Sequence, residues 1–170
     1  MSVEEVLDAW KEVRTGLIAE IEQIPAEQFG FQATPESRSI AGIIRHVVEA
    51  QRVFMSELCR PDTDFKRLPV GEMVERQAAT GFSGGNKEEL IASLRSTMEW
   101  AEETLRAFGE DALRENVGRL DGKKMSKLAY LHFLIAHETY HRGQITVYER
   151  LMKIEPVLTA KMREFLSANK

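Results

Sequence analysis

The stretch 130-YLHFLIAHETYHRGQITVYERLM-152 decides how this chain reads. Its apolar residues recur three and four apart, which predicts a long helix with one buried stripe. At about 100° per residue, with His137 at zero, His141 sits near 40° and Gln144 near −20°. Tyr130, Leu134 and Tyr148 fall between about 20° and 60°, so both histidines and the glutamine lie inside an aromatic and aliphatic stripe. Glu138, Arg142 and Glu149 fall at roughly 100° to 140°, on one shoulder, where Arg142 is expected to pair with Glu138 or Glu149. His132 lies roughly 140° from His137 and is given no role.

A buried imidazole must satisfy two ring nitrogens, and a charged ring is costly to bury. Two histidines one turn apart on one stripe can aim at one point, and a divalent metal there answers both problems. Two ligands are rarely enough, and 39-SIAGIIRHVVEAQRVFMSELC-59 supplies a third. His46 shares a helical stripe with Ile43, Ala50 and Val53. The chain has 4 histidines, and His46, His137 and His141 can reach a shared point. The other reading is three unrelated polar residues. Glycine inside a helix costs about 1 kcal/mol relative to alanine, so Gly42 calls for a reason: room for a metal and a substrate beside His46, or close helix packing. Gln144 is placed to orient a ligand or a water, or to bond a neighbouring helix. Three imidazoles suit zinc, nickel, copper or iron. No residue is assigned a catalytic role.

His137-Glu138-x-x-His141 also fits the H-E-x-x-H pattern of zinc proteases, with the glutamate as general base. Few residues follow His141, and the metzincin continuation is absent, since Arg142-Gly143-Gln144 comes next. A di-iron carboxylate bundle needs two Glu-x-x-His pairs, and only Glu138-x-x-His141 exists.

Around these segments stand the other helices of an all-α chain. The first opens on a Ser2/Glu5 capping box and runs to about Ile24. The second follows Ser39 and reaches about Cys59. The third begins at Asn86, with Glu89 three residues on, and ends near Gly109. The fourth follows Ser126 and reaches about Met152, and a shorter helix from about Leu158 to Ala168 closes the chain. No segment alternates with period two, so 113-LRENVGRLDGKK-124 reads as a connector, with a hairpin-like turn at Asp121-Gly122. Residues 61–85, rich in glycine and proline, read as a long connector that is either functional or a mobile crossover. The predicted fold is therefore a four-helix bundle with long crossover connections plus a short C-terminal helix, one domain over 1–170. Ala129, Ala136 and Gly143 repeat every seven residues on the fourth helix and would face either a neighbour within the chain, which the sequence alone favours, or a dimer partner.

Composition narrows the function classes. With 170 residues, 43% hydrophobic and 29% charged, the chain reads as a globular domain with a real core. Its net charge of −4 argues against nucleic acid, because phosphate binding needs a basic face. No apolar stretch is long enough to span a bilayer, and the acidic N-terminus is no signal peptide. One cysteine, Cys59, cannot form an internal disulfide, which fits a cytoplasmic location, and it reads as a small buried apolar residue.

His46 on the second helix, followed by H-x-x-x-H-R-G-Q at His137–Gln144, resembles the DinB/YfiT-like family of small metal-binding proteins. The likeness covers nearly the whole chain, from Ser39-Ile40 leading to His46 through to Ile145. It implies a four-helix bundle, often a homodimer, with His46, His137 and His141 binding a divalent metal such as nickel or zinc, iron being a further option. It also implies a thiol-dependent S-transferase, in which the metal site activates a low-molecular-weight thiol toward an electrophilic substrate. The alternatives are a metal-dependent hydrolase of small esters or amides and a non-catalytic metal-binding stress protein.

Overall fold

The structure, a computed structural model, describes residues 2–78 and 85–169. The helices are α1 (Val3–Gln23), α2 (Ile40–Leu58), α3 (Val70–Ala78), α4 (Lys87–Phe108), α5 (Glu110–Leu113), α6 (Lys127–Leu151) and α7 (Val157–Ala168). The four long ones start where the sequence offers a cap. Ser2 and Glu5 form a capping box on α1, and Asn86 and Glu89 form one on α4. Ser39 accepts from the Gly42 amide and Ser126 from the Ala129 amide. Each cap satisfies backbone donors that the first helical turn leaves free.

Two connector readings need correction. Part of 61–85 is the helix α3, while Gly81 and Gly84 lie outside the described residues. Part of 113–124 belongs to a small hairpin of β1 (Asn116–Gly118) and β2 (Lys124–Ser126), with Val117 opposite Met125. The Asp121-Gly122 turn closes it, and Gly122 has φ 85°, which a side chain would resist. Strands of three residues carry too little alternation to be seen in sequence.

Side-chain pairs give the helix directions. Glu4 meets Arg106 and Glu22 meets Arg95, so α1 and α4 run antiparallel. Arg14 meets Glu138 and Gln23 meets Glu149, so α1 and α6 run parallel. His46 meets His137 and the Tyr148 hydroxyl donates to the Arg38 carbonyl, so α2 and α6 run antiparallel. The order around the bundle is therefore α1, α4, α2, α6, and the links from α1 to α2 and from α4 to α6 cross the diagonal.

A polar layer divides the apolar core in two. On one side lie Trp10, Val53, Leu58, Leu105 and Leu131, and on the other Leu17, Ile21, Ile44, Leu94 and Ile145. Between them Arg14, 2% exposed, uses every N–H it has. Its Nε and Nη2 donate to Glu138, Nη2 also to Gln51 Oε1, and Nη1 to Thr97 Oγ1 and the Leu94 carbonyl. Trp10 Nε1 donates at 2.8 Å to Glu138 Oε2, the oxygen that also accepts from Arg14 Nη2. One guanidinium thus ties α1, α2, α4 and α6 in a single register. The expected pairing of Arg142 with Glu138 or Glu149 is wrong: Arg142 crosses to α1 and meets Glu20 at 3.2 Å. Gly16 makes that path open, since a Cβ there would collide with the Arg142 guanidinium.

At Ala136 and Gly143 the stripe of small residues meets no neighbouring helix among the described residues. Ala136 and Gly143 are exposed, and nothing lies within 4 Å of where a Gly143 Cβ would stand. They face outward with Phe133, Tyr140 and Val147. Gly42 serves neither purpose considered for it. A Cβ there would meet Ser39 Oγ at 3.2 Å and Arg38 Cβ at 3.5 Å, so the glycine makes room for its own helix cap.

The C-terminal helix is held at its start. The Glu20 carboxylate accepts from the Val157 and Leu158 amides, and Gln23 bridges Glu149 and the Glu155 carbonyl. Glu149 is fully buried, and its Oε2 accepts no hydrogen bond among the described residues. Burial, with Glu20 close by, pushes its pKa up to about 7 against the ordinary 4.5. A carboxyl raised in the folded state is protonated there while the unfolded chain has already ionised. Stability therefore falls as pH rises from about 4.5 to about 7 and levels off above. Glu149→Gln should flatten that slope and raise stability at pH 8 by up to roughly 3 kcal/mol; urea unfolding at pH 5 and pH 8 measures both.

Candidate metal centre

The three histidines come together. His46 projects from the second turn of α2, and His137 and His141 from adjacent turns of α6. His46 Nε2 lies 3.0 Å from His137 Nε2, and His137 Nε2 lies 3.1 Å from His141 Nε2. One ligand atom from each lies within 4.8 Å of the others. The ring centroids are 4.5 to 4.9 Å apart. His132 is exposed and stands apart, as expected.

The fit to a cation can be argued from the hydrogen bonds. His141 Nδ1 lies 2.7 Å from Gln144 Oε1, and a carbonyl oxygen only accepts, so the proton sits on Nδ1. His141 Nε2 is then a bare lone pair aimed at its two neighbours. A single N–H on His137 cannot donate in line to both His141 and His46, so at least one of these short contacts lacks a proton between its nitrogens. A divalent cation satisfies all three lone pairs at once. Tetrahedral sites with Zn–N of about 2.0–2.1 Å set nitrogens about 3.4 Å apart; the two short pairs stand slightly closer than that, and all three ligand atoms lie within 4.8 Å of one another.

Electrostatics prepare the same donors. Burial lowers the pKa of His46 to about 4, helped by the nearby Arg38 charge. Burial likewise lowers His137 to about 4 and moves His141 down. The imidazoles are thus neutral, the form that ligates metals. Among the described residues, Gln144 bonds His141 on its own helix rather than a neighbouring helix, and its amide N–H₂ group lies 3.3 Å from the Tyr140 hydroxyl.

Glu138 is turned away. Although it sits between the two α6 histidines in sequence, its carboxylate is 2% exposed and committed to Arg14 and Trp10. It cannot serve as the general base of an H-E-x-x-H site. Arg14 and Gln51 are the residues sequence reasoning missed. The available signal was their position: Arg14 stands between Trp10 and Leu17 on an apolar face, and Gln51 between Val47 and Met55.

These features define a helical bundle of crossed connectivity with a three-histidine cluster. The chain belongs to the DinB superfamily, whose model matches residues 9–145. The fold is similar to that of YfiT from Bacillus subtilis, with a TM-score of 0.70 at 13% identity, covering 90% of this chain and 89% of that one. YfiT is described as a probable metal-dependent hydrolase with an unusual four-helix bundle topology. A DinB-like protein from Bacillus cereus gives 0.68 at 18% identity, covering 91% and 95%. A mycothiol-dependent maleylpyruvate isomerase gives 0.67 at 14% identity, with 85% of this chain covering 61% of that one. No curated protein matches the chain. Among the described residues, no helix is long and apolar enough to cross a membrane.

Proposed function

We propose that His46, His137 and His141 hold one divalent cation, nickel or zinc, and that the site serves transfer of a small-molecule thiol to an electrophile. The observation that carries this is the convergence of three Nε2 atoms, one with its tautomer set by Gln144. A cation held by three neutral imidazoles keeps its full charge and lowers the pKa of a water or thiol it binds. His141 is kept in register by Gln144. Arg38, whose charge reaches all three histidines, favours an anionic ligand at the same edge. The chain's own thiol is unsuited to attack: Cys59 is half-buried, and burial pushes its pKa up to about 11. The reacting sulfur then comes from a second molecule, as in the mycothiol-dependent neighbour.

The test is consumption of an electrophile with and without added thiol, for wild type and His46→Ala, alongside elemental analysis of untagged protein. Thiol-dependent turnover present only in the metal-bearing protein supports the reading; equal turnover in His46→Ala defeats it. Hydrolysis of small esters or amides is the second reading, favoured by the likeness to YfiT, and it predicts turnover without thiol. A metal that only staples α2 to α6 predicts a change in melting temperature and no turnover. Gln144→Ala should weaken metal affinity by about 10–100-fold, the usual effect of removing a ligand's orienting partner, as read by chelator competition.

A further inference from the structure

On the hairpin side of the histidines, α2 contributes Phe54 and α6 contributes Tyr130 and Phe133. There a cavity of about 170 Å³ is lined by Phe54, Tyr130, Phe133, Leu120 and Met125, with Arg119 and Asp121 beside them. Three rings form its walls. Phe54 lies 6.1 Å from Phe133 and 5.9 Å from Tyr130, and Tyr130 lies 5.9 Å from Phe133. Phe65, fully buried, stacks behind Tyr130 at 4.3 Å and holds it in place. Phe133 is also next to the histidine cluster, its ring 6.2 Å from that of His137. The cavity and the cluster therefore share a wall.

We infer that this cavity is the subsite for an uncharged, single-ring aromatic group on the electrophile that reacts at the three-histidine site; the inference rests on the function proposed above. Size comes first: an apolar cavity of about 150 Å³ accepts benzene, so about 170 Å³ holds one ring. Wall geometry is second. The rings of Phe54 and Tyr130 meet Phe133 at 79° and 73°, presenting both edges and faces to a guest, the arrangement aromatic groups favour. Charge is third: Arg119 is taken up by Asp121 at 3.1 Å, so the cavity makes no demand for an anion. Polarity is fourth. Beyond the histidines in the other direction the lining is Glu36, Ser37, Arg38, Ile43, Gln144 and Tyr148, mostly polar with both signs of charge, which suits the polar body of a thiol cosubstrate. The two ends thus sort two reactants to opposite sides of the cluster. Phe133 and Leu120, at 49% and 44% exposed, leave the apolar cavity open to solvent, which a packing role alone does not require.

The probe is trifluoromethylbenzene, followed by fluorine NMR with the full-length protein loaded with zinc or with paramagnetic cobalt. Saturable binding should weaken about tenfold in Phe133→Ala and in Leu120→Ala, both partly exposed and tolerant of truncation, but not in Leu166→Ser on the exposed face of α7. Cobalt should speed relaxation of the bound probe relative to zinc. Equal binding in Phe133→Ala, or binding lost in Leu166→Ser, overturns the subsite. Tight binding with no cobalt effect overturns its link to the histidines. Elemental analysis of the same samples separates the two ideas: absent metal removes the proposed function and the subsite with it, whereas bound metal with no probe binding removes the subsite alone.

Discussion

Glu138→Ala is expected to lower the unfolding free energy by about 3–5 kcal/mol, the effect of removing one partner of a buried ion pair. Arg14 would keep its charge in a core where it is 2% exposed, and Trp10 Nε1 would lose its acceptor. In a chain of this length that corresponds to a drop in melting temperature of roughly 10 °C or more. Urea unfolding gives the free energy directly. Glu138→Gln keeps an acceptor for Trp10 but no charge for Arg14, and should fall between. The double replacement Arg14→Met with Glu138→Leu should recover much of the loss, because paired apolar groups leave nothing unsatisfied. Metal content of folded Glu138→Ala should match wild type, as the carboxylate faces away from the histidines. A loss below about 1 kcal/mol would show that the four helices are not joined through this layer.

His141→Ala is expected to have the largest effect on the centre. It removes the most buried of the three imidazoles, 4% exposed, and the one whose free nitrogen is set by a hydrogen bond. Metal content should fall from near one per chain to near zero, and affinity by more than the about 10–100-fold expected when only an orienting partner is lost. The second reading is thermal. Metal at about 100 times its dissociation constant stabilises the folded state by roughly 2.7 kcal/mol, or about 5–10 °C here. That rise should appear in wild type on adding nickel or zinc and vanish in His141→Ala. A variant still stabilised by metal to the same extent would remove His141 from the ligand set.

The amount legible in the sequence differed by element. Caps at Ser2, Ser39, Asn86 and Ser126 marked four helix starts, because capping is decided within a few residues. The gathering of His46, His137 and His141 could be anticipated because three histidines on apolar stripes have few ways to be satisfied. The hairpin and α3 were not legible, being too short for periodicity to register. Glu138 misled for another reason. A helical wheel treats its angle as a shoulder, but whether a shoulder meets solvent or another helix depends on the partner, and here α1 packs against it.

By itself the sequence determined an all-α chain, its helix starts, and a set of imidazoles that needed one another. These follow from local propensity and from the cost of burying polar rings. Only the tertiary structure decided the order of helices, the path of Arg142 over Gly16 to Glu20, and the separation of Glu138 from the histidines on its own helix. Those depend on which face meets which neighbour across the bundle diagonal, and no stretch of chain carries that information until its partners are in place.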